Sequence, residues 1–123
     1  MIGHYVGHVD ADDARRILEA QRVFCEGKSH VFLLADVHRM VNISAEARRA
    51  SAEPTKSTAL IHGIAVVGAS FHFRVVGSML FRAAKVLRRS QDFPVRFFDT
   101  HNEARAFFNE RRHELGLSLP TNA

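Results

Sequence analysis

The stretch that decides the fold is residues 31–52, VFLLADVHRMVNISAEARRASA. It opens with the apolar run VFLLA, closed by Asp36, and such a short run between polar residues is typical of a buried strand. We interpret residues 38–43 as a turn. Ser44 then precedes AEARRA, which indicates a serine N-cap on an alanine-rich helix. A regulatory function, if the chain has one, is expected at this junction, because unpaired backbone N–H groups converge at a helix start.

The rest of the chain alternates between strand and helix patterns. We predict strands at residues 2–9, 59–67 and 95–98, the last opened by Pro94. Asp10 is predicted to cap a helix that Gly27 ends, and Thr100 and Glu103 to form a capping box on a final helix that Gly116 ends. Pro54 ends the short helix after Ser44, and residues 55–58 form a polar connection. The buried stripe predicted for the first helix is Ala14, Ile17, Leu18, Gln21, Phe24 and Cys25.

A long helix is predicted over residues 71–89, after a turn at Gly68-Ala69-Ser70. The predicted apolar face is Phe71, Val75, Val76, Met79, Leu80, Ala83, Val86 and Leu87, and the basic face is Arg74, Arg82, Lys85, Arg88 and Arg89. Most such helices pack their apolar stripe on a sheet. This stripe is broad enough to leave a partner surface, a membrane contact or an apolar ligand cavity as alternatives.

The resulting order, β-α-β-α-β-α-β-α, predicts a single α/β domain over residues 1–116, with a mostly parallel or mixed four-stranded sheet and a loose tail at 117–123. A length of 123 residues suits one domain. With one cysteine the chain has no internal disulfide, which fits a cytoplasmic location. No apolar run is long enough for a membrane span, and no secretory signal is visible. The net charge of +4 is spread among acidic residues, so no specific nucleic-acid binding is predicted.

Few residues are candidates for anion binding, metal binding or catalysis. Gly68, Ser70 and Arg74 could hold an anion at a helix start, although a tight strand-to-helix turn is the commoner arrangement. His4, His8 and His38 lack the spacing of metal ligands and are interpreted as surface or structural side chains. No nucleophile and base pair is recognisable, so we predict no enzyme activity, no metal and no cofactor.

Four motifs resemble the SpoIIAA-like family, relatives of the STAS domain of bacterial anti-sigma factor antagonists. They are VGHVDADDARRIL, VFLLADV with NISAEARR, HGIAVVGASFHFRVV and PVRFFDTHNEARAF, and together they cover nearly the whole chain. The resemblance implies an α/β domain with helices packed on the sheet and a further strand ahead of the first one here. Some members are similar to lipid-binding Sec14-type domains.

The resemblance also implies a phosphoacceptor. In the antagonist family the phosphorylated serine lies in an Asp-Ser-Ser-Gly turn at a helix start. The matching positions here are Asn42, Ile43, Ser44 and Ala45, of which only the serine is kept. A phosphate on Ser44 would gain from the helix dipole, and Arg48 and Arg49 follow one turn later. The alternative is a plain capping serine.

We therefore expect a non-enzymatic regulatory module that binds a protein partner, such as a kinase or an anti-sigma-like protein, or senses a ligand. The expected partner face is Asp36, His38, Asn42, Ser44, Arg48 and Arg49, with the Gly68 turn beside it. The alternative is a carrier of an apolar or anionic small molecule or lipid, in a cavity under the helix 71–89. A homodimer is left open.

Overall fold

A computed structural model describes residues 1–52, 60–87 and 94–116 of the chain. The strands are β1 (Ile2–Val9), β2 (Val31–Ile43), β3 (Ile61–Val67) and β4 (Val95–Phe98). The helices are α1 (Ala11–Cys25), α2 (Ala45–Ala52), α3 (Phe71–Leu87) and α4 (His101–Leu115). The predicted connection 55–58 and tail 117–123 lie outside the described residues, as do Glu53 and Pro54.

All four strands form one parallel sheet in the order β1-β2-β3-β4. Crossovers between neighbouring parallel strands share one hand, so successive connecting helices are placed on the same face of the sheet. The packing follows this rule: side chains of α1, α2 and α3 contact one face. The opposite face is packed by α4, whose Ala104 and Phe108 lie on Phe32 and Leu34. The predicted α/β fold is confirmed.

The helix termini obey local signals in the sequence. Asp10 caps α1 in a capping box with Asp13, and Thr100 caps α4 in a capping box with Glu103. Gly116 ends α4 in the left-handed conformation, with φ of 66°. These predicted caps are confirmed, and the one on α4 fixes where that helix begins.

The face that α4 packs is open at the β1 edge. Along β1, Ile2, His4, Val6 and His8 are exposed while the residues between them are partly or fully buried. On β2 the same face carries Phe32 and Leu34 under α4, and the next residue in the alternation is Asp36. The carboxylate therefore sits where the apolar packing of α4 gives way to the open part of the sheet.

Candidate functional site

A buried carboxylate with histidine partners is the most unusual feature of the described structure. Asp36 is 5% exposed, and a buried carboxylate needs partners for its charge. His101 Nε2 lies 2.7 Å from one carboxylate oxygen, Oδ2. The other oxygen, Oδ1, accepts from the backbone N–H of His38 at 3.2 Å and contacts Nδ1 of the same residue. His4 Nδ1 stands 3.7 Å from Oδ2. We call Asp36, His4, His38 and His101 the histidine cluster.

Two neighbouring strands and the start of a helix bring the cluster together. Asp36 of β2 pairs in register with His4 of β1 and with Val67, the last residue of β3. In a parallel sheet, neighbouring residues in register point to the same face, so His4 and Asp36 are side by side. His101 is the first residue of α4, which follows β4 directly. The cluster therefore lies at the carboxyl end of β3 and β4.

The capping box of α4 sets the position of His101. Thr100 Oγ1 accepts from Glu103 N at 3.2 Å, and Glu103 Oε1 accepts from Thr100 N at 3.2 Å. Both bonds satisfy backbone groups that the helix start leaves unpaired. The imidazole of His101 is thereby held over Asp36, and it stacks with His4 at 6.2 Å between ring centroids.

The turn after β3 packs against His38. Gly68 has φ of +81°, and a Cβ built on it would lie 2.5 Å from Cβ of His38. A side chain at Gly68 would therefore clash with His38 as well as strain the backbone. The glycine is needed for close approach of two backbones, which explains its place beside the cluster.

The charge state of Asp36 follows from its contacts. Burial alone raises the pKa of a carboxyl, but the hydrogen bonds from His101 and His38 outweigh it and hold the pKa of Asp36 well below its ordinary value. The carboxylate is therefore ionised at neutral pH. It hydrogen-bonds to one ring nitrogen of His38 and to one of His101. It thereby orients both rings, as carboxylates orient metal-ligating histidines.

The outer sides of the rings reach solvent. The side chains of His4, His38 and His101 are 62%, 55% and 34% exposed, while that of Asp36 is 6% exposed. Asp36 contacts Nδ1 of His38 and Nε2 of His101, so Nε2 of His38 and Nδ1 of His101 are left to contact other molecules. A neutral imidazole presents an acceptor there and a protonated one a donor. The cluster can thus bind hydrogen-bonding groups on a ligand or partner.

The neighbours of the cluster histidines are described by the hydrogen bonds around them. Within residues 1–52, 60–87 and 94–116, no serine, threonine, cysteine or lysine side chain hydrogen-bonds to a cluster histidine. No group of three or more His, Cys, Asp or Glu side chains in those ranges is arranged to hold a metal ion. Cys25 lies elsewhere, buried under α1, and burial raises the pKa of its thiol.

The predicted turn at residues 38–43 is wrong, because β2 continues to Ile43. The register of β1 on β2 shifts twice, between His4 and Val6 and between Gly7 and His8. Each shift breaks the alternation of polar and apolar residues, so HRMVNI does not read as a strand. The polar side chain of Asn42 lies on this strand, with Oδ1 2.5 Å from His8 Nδ1.

The predicted partner face is therefore divided. Asp36 and His38 belong to the cluster, whereas Ser44, Arg48 and Arg49 lie beyond the far end of β2. The eight residues from Asp36 to Ile43 span roughly 23 Å at strand geometry. The Gly68 turn contacts His38, and Ser44 instead joins β1, donating its backbone N–H to Val9 O at 2.9 Å.

Ser44 begins α2 as the sequence predicts. Its Oγ accepts from Ala47 N at 3.0 Å, and its carbonyl oxygen accepts from Arg48 N at 3.0 Å. The residue is half-buried, so its hydroxyl is not sealed under packed side chains. The capping role is observed, and phosphorylation stays a prediction.

The predicted anion turn binds a carboxylate of the chain itself. Ser70 Oγ accepts from Phe73 N at 3.3 Å at the start of α3. The guanidinium of Arg74 donates to Asp99 Oδ1 at 2.6 Å and to Ala69 O at 3.2 Å. An external anion would have to compete with Asp99, so a strand-to-helix turn describes this segment better.

Two members of the cluster were missed as site residues. His101 is 65 positions from Asp36 in the chain, and His4 is 32 positions before it. The only signal for His4 was its place on one side of the alternating strand β1, next to a strand whose apolar run is closed by Asp36. His101 had a weaker signal, a histidine directly after a helix cap at the carboxyl end of a strand.

Comparison with known proteins gives a family and a fold. A family model described as Domain of unknown function (DUF7793) matches residues 4–112. None of the curated proteins matches the sequence. A solved structure, an uncharacterised protein of the DUF3478 family with a SpoIIAA-like fold from Shewanella loihica PV-4, matches with a TM-score of 0.61 and 15% identity. The match covers 85% of this chain and 79% of that one, and it confirms the SpoIIAA-like fold.

Proposed function

This chain belongs to the DUF7793 family, and from that premise we propose that it is a non-enzymatic regulatory module that binds a protein partner or a small ligand through its histidine cluster. The observation that carries the proposal is the buried Asp36 carboxylate, which orients His38 and His101 while leaving their outer edges in solvent. A buried charge usually adds little net stability, because the cost of its desolvation offsets its attraction to its partners. A buried carboxylate that orients exposed imidazole rings instead holds them in position to contact a ligand or partner.

The position of the cluster supports binding. Open α/β sheets bind ligands beyond the carboxyl ends of their strands, and the cluster lies there for β3 and β4. The open part of the sheet beside it carries Ile2 and Val6, which are 47% and 63% exposed. A partner could therefore bury apolar strand residues and hydrogen-bond to the imidazoles in one contact. This combination is typical of protein interfaces.

The carrier alternative lacks such an observation. Where α3 meets the sheet, a Cβ built on Gly77 would lie 3.2 Å from Cζ of Phe97, so the helix is in close contact with the strand there. Lipid retained through purification, detected by native mass spectrometry, would favour the carrier over the binding module.

The test of the proposal separates the hydrogen bond that orients the ring of His101 from the contact that the ring makes with a partner. In His101→Gln the amide nitrogen replaces Nε2 as donor to Asp36 but the ring is lost, while His101→Leu loses both. A photoreactive amino acid placed at Val6, on the open part of the sheet beside the cluster, should crosslink a partner in host cells. We expect the His101→Gln background to abolish that crosslink while the protein keeps its unfolding midpoint. His101→Leu should lose the crosslink and should also unfold at a lower midpoint.

The matched control carries the photoreactive residue at Arg105, on the exposed side of α4. The same crosslinked species from both positions would mean unspecific contact and would refute the proposal. A crosslink at Val6 that survives His101→Gln would likewise exclude the cluster as the contact.

We propose in addition that Ser44 is a phosphoacceptor that regulates this module. The support is a half-buried hydroxyl at a helix start, where a phosphate would gain from the dipole of α2. Incubation with host lysate and ATP, followed by phosphopeptide mapping, should find phosphate on Ser44 and none on the Ser44→Ala variant. A phosphate-free Ser44 across growth conditions would contradict this role.

A further inference from the structure

The helix α3 presents apolar side chains to solvent. Phe71 is 83% exposed, Met79 65% and Val75 45%, at spacings of four residues. Residues four apart lie one above the other on a helix, so the three form a continuous ridge. We call Phe71, Val75 and Met79 the α3 ridge.

The ridge is part of the predicted apolar face of α3. Packing on the sheet was the commoner arrangement expected for that face, with a partner surface as an alternative, and in the structure Phe73 and Gly77 lie against the sheet instead. The side chains of Val76, Leu80, Ala83, Val86 and Leu87 lie outside the described residues. An exposed phenylalanine, valine and methionine in one row are unusual for a helix of a soluble protein and mark an interaction surface.

The charge around the ridge indicates the class of partner. From residue 71 to 89 the sequence has five basic residues and no acidic one, and one of the five, Arg74, is already paired with Asp99. Arg82 continues the ridge by three positions and is exposed. The helix α2 packs beside α3 and adds Arg48 and Arg49 against one acid, Glu46. Basic residues that flank exposed apolar residues complement a surface that is both negatively charged and apolar.

We propose that the α3 ridge docks this protein on the surface of an anionic lipid bilayer. A helix with phenylalanine and other apolar residues on one face and arginine and lysine beside them lies in the interface plane, and binding combines apolar burial with attraction to anionic headgroups. The ridge projects from the layer of helices on one face of the sheet, away from α4. Peripheral docking is compatible with the finding that no helix among the described residues is long and apolar enough to cross a membrane.

The docking surface is distinct from the proposed histidine contact. The cluster faces the side of the sheet that α4 packs, and the ridge lies on a helix of the opposite side. A protein held on a membrane by α3 would therefore present its histidine cluster to the surrounding solution. This arrangement would let one small domain bring a partner to a bilayer.

The experiment is cosedimentation of the full chain with vesicles of phosphatidylcholine alone or mixed with phosphatidylglycerol. We expect binding to the anionic vesicles at low salt, and a loss of at least about tenfold on neutral vesicles or in 0.5 M salt, where charges are screened within about 4 Å. Val75→Ser should weaken binding several-fold and Phe71→Ser with Met79→Ser by about tenfold or more.

Matched controls keep the test independent of folding and of net charge. Val23→Ser changes a valine of similar exposure, 52%, on α1, and should bind as the wild type does. Arg82→Glu should weaken binding, while Arg105→Glu on α4 changes the net charge equally and should have a much smaller effect. Circular dichroism checks that each variant is folded.

Several outcomes would overturn the proposal. They are no binding of the wild type to anionic vesicles, equal binding to neutral vesicles, or equal losses in Val75→Ser and Val23→Ser. Binding to poly-L-glutamate but not to vesicles would assign the ridge to an acidic protein. A dimer in sedimentation that Phe71→Ser with Met79→Ser dissociates would assign it to a second copy of the chain.

Discussion

At the scale of single residues, Asp36 connects stability to the candidate site. Its carboxylate accepts from His101 and from the backbone and ring of His38, so the side chain joins β2 to the start of α4. An amide at this position can accept at one atom only, and its NH₂ group would face a donor. The residue is thus a structural link and the orienting group of the cluster at once.

We expect Asp36→Asn to lower the free energy of unfolding by about 1–3 kcal/mol at pH 7, because a buried donor loses its charged acceptor. The pKa of Asp36 is lower in the folded protein than in the unfolded chain, whose carboxyl titrates near 4. Its stabilisation is therefore complete above about pH 4 and is lost as pH falls below that value.

Urea unfolding of wild type and Asp36→Asn from pH 3 to pH 7 measures this difference. The gap between the two proteins should narrow as pH falls from about 4 to 3. The exposed Asp12→Asn provides the control, since its side chain is 77% exposed and it should change stability little. A gap that widens as pH falls from about 4 to 3 would contradict the assignment of the charge.

Gly68 is the second residue whose role the structure defines. We expect Gly68→Ala to destabilise the protein by about 2–4 kcal/mol, because it combines a left-handed backbone with a clash against His38. Gly27 is a matched control: it has φ of +73° and nothing within 4 Å of a built Cβ, so Gly27→Ala carries the backbone cost alone, about 1 kcal/mol.

Thermal and urea unfolding of both variants measure the two costs. The Gly68→Ala protein should in addition lose the ring contact between His38 and Asp36, visible as shifted imidazole resonances in NMR spectra. Equal destabilisation by both substitutions would show that the approach of Gly68 to His38 is not tight.

At the scale of elements, the predictions succeeded where a signal is local. The N-cap at Asp10, the capping box at Thr100 and the stop at Gly116 depend on residues within one turn, and all three were predicted. The length of β2 was not predicted, because two register shifts interrupt the alternation of polar and apolar residues along the strand. The side of α3 that packs on the sheet was also not predicted, because the helix is apolar on more than one side and only packing selects which side is buried.

At the scale of the whole molecule, the strand order and the helix layers follow from general rules on crossovers, but the histidine cluster does not. His101 meets Asp36 only because α4 is packed on the sheet face that the first three helices leave open. Sequence spacing carries no information about such a contact across 65 positions. The site is therefore a product of the assembled fold, and its geometry should respond to packing far from any histidine.

Ala104 tests that dependence, because it lies at the contact between α4 and the sheet and is fully buried. We expect Ala104→Leu to cost about 1–3 kcal/mol of unfolding free energy, since a larger side chain overpacks the core. It should also displace His101 from Asp36, because the helix can accommodate the added volume only by moving. The exposed Ala106→Leu is the matched control on the same helix.

Denaturant unfolding and the NMR chemical shifts of the histidine rings report the two effects separately. In Ala104→Leu both the unfolding midpoint and the ring resonances of His101 should shift, while Ala106→Leu should leave both as in the wild type. If Ala104→Leu lowered stability but left the ring resonances of His101 unchanged, the packing of α4 would not be what positions the ring. The capping box at Thr100 would then hold His101 over Asp36 independently of how the rest of the helix packs.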